Sequence, residues 1–112
     1  MLSSYSPNVP QIDVSEVKKA IDTKQDILLL DVRTPEEYAQ GFIKESMLMP
    51  KQTLREDVKK ITNKTKIIYV HCRSGIRSAQ AVEQLREFGY TNVYSMTGGI
   101  LSWIEKGYPV QK

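Results

Sequence analysis

Two unbroken apolar runs constrain this chain most. Ile27-Leu28-Leu29-Leu30 and Ile67-Ile68-Tyr69-Val70 do not alternate with polar residues. A strand has this pattern when both its faces are covered. Each run leads into reactive side chains, Asp31 after the first and His71-Cys72 after the second. Between and around them, apolar residues recur at helical spacing. Val14, Val17, Ala20 and Ile21 form one stripe, with Ser15 available as an N-cap, and Leu54, Val58 and Ile61 form another. Ala79, Val82, Leu85 and Phe88 form a third, which Gly89 ends. Thr34-Pro35-Glu36-Glu37 reads as a helix start, with Thr34 as cap, Pro35 at the first helical position and Glu37 closing a capping box; Gly41 should end that helix. Ser46–Met49 and Val93–Met96 read as short strands, and Ile100–Lys106 as a last helix carrying Trp103. Strands alternating with helices predict an α/β fold with a largely parallel sheet covered on both faces. Ligands of such sheets sit beyond the carboxyl ends of the strands, where Asp31 and Cys72 fall.

The chain's 112 residues fit one domain, read as 11–112 behind a loose arm at 1–10 that carries Ser, Asn and Pro. A chain of this length buries roughly two-thirds of its unfolded surface and needs no staples. One Cys and one His exclude an internal disulfide and any Cys/His cluster, so neither a metal nor another cofactor is expected. A lone thiol suits a reducing compartment. The first residues lack the basic and apolar regions of a secretory signal, so cytoplasm is the default reading. The longest apolar run is far too short to cross a membrane. The net charge is +3, and Lys59, Lys60, Lys64 and Lys66 read as a solvated loop. Nucleic-acid binding would want a larger basic patch with interleaved aromatics.

The segment with most chemistry is Tyr69-Val70-His71-Cys72-Arg73-Ser74-Gly75-Ile76-Arg77-Ser78-Ala79. It runs from strand through loop to helix. Successive backbone N–H groups in such a turn point inward and form an anion nest. A helix beginning near Ser78 adds its positive end, and Arg73 and Arg77 add two positive charges. All three effects favour a Cys72 thiolate and an oxyanion held against it. Cys72 is therefore the candidate nucleophile, with Arg73, Ser74, Gly75, Ile76, Arg77 and Ser78 as the substrate cradle. A Cys–His dyad normally draws on residues distant in sequence, so His71 reads as a packing or hydrogen-bonding residue.

These motifs resemble the single-domain rhodanese family of sulfurtransferases. Asp31-Val32-Arg33-Thr34-Pro35-Glu36-Glu37-Tyr38 resembles its first signature and Cys72–Arg77 its six-residue loop. Gly98-Gly99-Ile100 with Trp103, and Gly107-Tyr108-Pro109-Val110, resemble its C-terminal signature. The resemblance implies a central, mostly parallel five-stranded sheet with helices on both faces. It also implies that Cys72 takes the sulfane sulfur of a small anionic donor such as thiosulfate, carries it as a persulfide, and passes it to cyanide, a thiol or a protein. Arg73 and Arg77 would hold the donor. Asp31 and Arg33 resemble family positions that support the site, and Glu37 is already explained as a cap. One departure is plain: the family's usual His after Gly41 is Phe42 here, and its Pro-Gly turn is Lys44-Glu45.

Two rival readings have their own discriminants. A Cys-dependent phosphatase or arsenate reductase has five residues between Cys and Arg, against four here. A non-catalytic rhodanese-like interaction module would not require Cys72.

Overall fold

The computed structural model describes residues 8–112. Five strands, β1 (Gln11–Ile12), β2 (Ile27–Asp31), β3 (Ser46–Leu48), β4 (Ile67–His71) and β5 (Val93–Met96), form one sheet in the order β1-β5-β4-β2-β3. Every pairing between them is parallel. The two unbroken apolar runs are neighbours at its centre, with Leu29 beside Tyr69 and Asp31 beside His71.

Helices cover both faces. α1 (Val14–Asp22) and α5 (Gly99–Glu105) pack on one, where Val17, Leu29, Tyr69, Met96 and Trp103 form an apolar cluster. α3 (Leu54–Asp57), extended by a 3-10 turn at each end, and α4 (Ile76–Glu87) pack on the other around Leu30, Val70, Val82 and Leu85. α2 (Pro35–Ala39) is a short helix at the carboxyl edge of β2. Strand periodicity divides the two clusters: residues alternating along β4 belong to opposite faces, so Tyr69 lies on the α1/α5 side and Cys72 with Val70 on the α4 side.

Several expectations need adjustment. β1 is too short to show a pattern; Pro10 and Ile12 carbonyls accept from the N–H groups of Ser95 and Thr97. The predicted arm at 1–10 lies mostly outside the described residues, and of its last members Val9 is buried against the α4 face. The cap of α1 is Asp13, whose carboxylate accepts from the Ser15 N–H at 3.0 Å, while Ser15 sits inside the first turn. A carboxylate there also complements the positive helix end. α4 starts at Ile76 rather than near Ser78, because Gly75 turns the chain at φ 116° and lets the helix begin earlier. The capping box of α2 forms as predicted, with Thr34 and Glu37 exchanging hydrogen bonds. Trp103 fills the core, and its indole N–H donates to the Pro109 carbonyl at 2.9 Å.

Candidate active site

β4 delivers Cys72 to the carboxyl edge of the sheet, and α4 begins four residues later. The first turn of any helix leaves backbone N–H groups without partners. Gly75 has no side chain to cap them. The Cys72 sulfur takes that place: Sγ accepts from the Gly75 N–H at 3.1 Å and from the Ser78 N–H at 3.3 Å. The Ser78 hydroxyl lies 3.6 Å from Sγ, donates to the Gly75 carbonyl at 3.1 Å, and is 2.8 Å from the Ser95 hydroxyl. A sulfur so placed faces the positive end of a twelve-residue helix. Cys72 is 1% exposed, so it forms the floor of the loop and not its rim.

The loop is held from behind. Ile100 and Leu101, in the first turn of α5, donate their N–H groups to the carbonyls of Cys72 (2.9 Å) and Arg73 (3.2 Å). Pulling both carbonyls outward leaves the loop's N–H groups free to face the sulfur. The contact is close: a Cβ on Gly99 would lie 2.6 Å from the Cys72 carbonyl oxygen and overlap Arg73. Only glycine also accommodates φ 62° there without strain. Gly98-Gly99 thus lets the first turn of α5 close on the loop.

His71 lies on the opposite face from Cys72. Its Nδ1 meets the Cys72 carbonyl at 3.3 Å, which the Nδ1-protonated tautomer satisfies. Its Nε2 is 3.7 Å from Asp31 Oδ2 and is, among the described residues, the buried side-chain polar atom without a hydrogen-bond partner. Burial pushes the imidazole below its ordinary pKa, against the pull of the Asp31 carboxylate. His71 therefore sits neutral beneath the loop and braces the Cys72 peptide.

Asp31 and Arg33 form a buried pair. Arg33 donates from Nε and Nη2 to the carboxylate at 2.7–3.0 Å, from its backbone N–H to Oδ1, and from Nη2 to the Gly41 carbonyl at 2.8 Å. The pair fixes the turn between β2 and α2. Phe42 stacks on Tyr38 with ring centroids 4.4 Å apart and pairs its backbone with Gln111.

The two loop arginines differ. Arg73 is exposed and makes no side-chain ion pair among the described residues. Arg77 is engaged by Glu37 through two hydrogen bonds, Nη1 to Oε1 at 2.7 Å and Nη2 to Oε2 at 2.9 Å. The Arg77 guanidinium holds the Glu37 carboxyl down at about 2. Glu37 thus combines its capping role with an ion pair that the sequence did not reveal. An acid forty positions upstream gave no signal. Ser74 and Ile76 are exposed on the loop.

The result is an α/β domain with a thiol seated at a helix N-terminus beyond the carboxyl end of a parallel strand, a position that can hold negative charge. Comparison with known proteins narrows the class. The rhodanese-like domain family matches residues 13–106, and the chain belongs to it. A sulfurtransferase of Allochromatium vinosum is 35% identical over 102 residues, covering 91% of this chain and 94% of that protein. A rhodanese-related protein of Thermoplasma volcanium has a crystal structure that superposes with a TM-score of 0.79 at 40% identity, covering 91% of this chain and 97% of the other. A tRNA uridine(34) hydroxylase of Pelagibacter ubique is 38% identical over 106 residues, which are 93% of this chain but only 35% of that enzyme. At family level this is a sulfur-transfer domain, which implies a sulfur donor and an acceptor. No helix among the described residues is long and apolar enough to cross a membrane, and no group of His, Cys, Asp and Glu there is arranged to hold a metal ion.

Proposed function

We propose that the protein is a sulfurtransferase that carries sulfane sulfur on Cys72, taken from thiosulfate or a related small anionic donor. The Cys72 thiolate attacks the outer sulfur of the donor. A new S–S bond forms, the donor's S–S bond breaks, and sulfite leaves with the electron pair. The persulfide keeps one negative charge. An acceptor thiolate, or cyanide in a test tube, then attacks the outer sulfur and restores the Cys72 thiolate.

The observation that carries this reading is the seat of Sγ, between the Gly75 and Ser78 N–H groups at the start of α4. Those donors favour negative charge on sulfur and need no rearrangement when it arrives. Loss of the thiol proton frees the Ser78 hydroxyl to turn from the Gly75 carbonyl to Sγ as a further donor. Exposed Arg73 attracts the anionic donor from outside. Arg77 meets it with a charge already compensated by Glu37. Ser74 and Ile76 border the approach. Asp31 and Arg33 act at one remove, by fixing the turn beside the loop. The four residues between Cys72 and Arg77 make a cradle smaller than the five-residue spacing of phosphatase loops.

Intact mass measured after incubation with thiosulfate and removal of excess donor tests the reading. The reduced wild type should gain one sulfur atom, cyanide should remove it, and Cys72→Ser should gain nothing. A wild type that gains no sulfur from thiosulfate or from an organic persulfide overturns it.

A further inference from the structure

Building on the sulfur-transfer reading, we propose that the cleft beside the Cys72 loop, floored by the outer face of α5, docks an extended acidic segment of a partner polypeptide whose cysteine accepts the sulfur.

The cleft has a volume of about 390 Å³ and lies between the Arg73 end of the loop, Gly41, the α5 residues Leu101 and Ile104, and the C-terminal Val110 and Lys112. Pockets of roughly 300–1,000 Å³ take peptide side chains or drug-sized ligands. Thiosulfate or cyanide would occupy a small part of it, so the chemistry of the donor leaves most of the cleft unexplained. The cleft also adjoins the Cys72 loop: Arg73 lines it, and the Leu101 N–H that holds the Arg73 carbonyl belongs to the helix turn that forms its floor.

Its floor and the loop beside it expose apolar side chains. Leu101 is 43% exposed, Ile104 50% and, on the loop itself, Ile76 61%. Single exposed apolar side chains are ordinary, whereas several around one site mark an interaction surface. A low-molecular-weight thiol could enter the cleft but would leave Ile76 uncovered. A polypeptide segment that crosses the loop covers both.

Charge fixes the partner's sign. Four charged side chains that line the cleft are Arg33, Glu37, Arg73 and Lys112. Arg33 is neutralised by Asp31 and Glu37 by Arg77. Arg73 has no ion-pair partner among the described residues, so the loop side of the rim carries an uncompensated guanidinium, with the Lys112 ammonium at its far end. A complementary partner presents carboxylates.

Burial fixes its shape. With Cys72 1% exposed at the floor of the loop, a broad rigid surface would be stopped by Arg73, Ser74 and Ile76 before its thiol reached the sulfur. A cysteine on an extended segment can reach in. The acceptor thiolate then bonds to the outer sulfur, the S–S bond to Cys72 breaks, and Cys72 leaves as thiolate.

The test uses the full chain loaded with sulfane sulfur, with loading verified by cyanide release. Three acceptors are compared: an eight-residue peptide with one cysteine among Leu and Glu residues, the same peptide with Lys for Glu, and 2-mercaptoethanol. The acidic peptide should react about tenfold faster than either. Ile104→Asp should lower the ratio of acidic-peptide rate to cyanide rate about tenfold, and Lys112→Glu should shift preference towards the Lys peptide. Circular dichroism melting confirms that both variants are folded. Equal rates for the acidic peptide and 2-mercaptoethanol, or an unchanged ratio in both variants, overturn the docking site and leave sulfur transfer standing. A protein that cannot be loaded at all overturns both.

Discussion

Two arginine–carboxylate pairs stand at the same edge of the sheet, and they differ in almost everything except chemistry. Asp31 and Arg33 are two residues apart and buried, with side chains 0% and 6% exposed. Glu37 and Arg77 are joined across forty residues, with side chains 28% and 32% exposed. The buried pair is saturated: its carboxylate takes three kinds of N–H from Arg33, and the guanidinium also reaches the Gly41 carbonyl. The outer pair is accessible to water and salt. The first is scaffold, and the second sets the charge at the mouth of the loop. A buried pair that loses one member leaves an unsolvated charge, while a partly exposed pair that loses one member is rescued by water.

Breaking the inner pair should therefore have the largest effect. Arg33→Met leaves the Asp31 carboxylate buried without its guanidinium and should cost about 3–5 kcal/mol. Thermal unfolding should show a Tm lowered by on the order of 10–20 °C. Adding Asp31→Asn should restore part of that loss.

His71 tests the same buried corner through pH. Its folded pKa is pushed down by burial, so the unfolded chain binds the proton more readily. Stability from the neutral imidazole is complete above the ordinary value of 6.5 and is lost as the pH falls below it. Tm should decline between pH 7.5 and 5, and the decline should be shallower in His71→Gln. A variant as pH-sensitive as the wild type would show that other groups govern this range.

The outer pair should give the smallest change in stability. Glu37→Gln keeps an acceptor for the capping box and removes the charge opposite Arg77. Denaturant titration should show a loss of about 0.2–1 kcal/mol at neutral pH. Glu37 stays ionised in the fold down to about 2, whereas the unfolded chain protonates it near 4.5. Its contribution is present above 4.5 and fades as the pH falls towards 2, so the two proteins should converge in acid. Thiosulfate kinetics should move the other way. An Arg77 freed of its partner should lower KM several-fold, and added salt should erase that advantage.

The fold was legible where a pattern extended over several residues. The runs at 27–30 and 67–70 marked the central strands, and Thr34-Pro35-Glu36-Glu37 marked a helix start that the structure reproduces. β1 was not legible, because two residues carry no period and owe their place to β5. The sequence offers both Asp13 and Ser15 as caps for α1, since either side chain can accept the hydrogen bond, and only the fold shows that Asp13 does so. In the loop, local sequence indicated a helix N-terminus and an electropositive setting for Cys72. It did not indicate that Glu37 already holds Arg77, or that Gly98-Gly99 lets α5 grip the Cys72 and Arg73 carbonyls. Both depend on contacts between distant segments, which one sequence read along its length does not reveal.

The grip of α5 has a consequence in time. Synthesis runs from the N-terminus, and domains complete themselves only when their last segments emerge. β1 pairs with β5, Phe42 with Gln111, and the Cys72 carbonyl with Ile100, so each closure spans far along the chain and waits for its last quarter. Contacts of that span form late and slowly. Cys72 and its seat on α4 are thus made before the segment that holds the Cys72 and Arg73 carbonyls from behind. The loop reaches its final shape only when the far end of the fold closes on it.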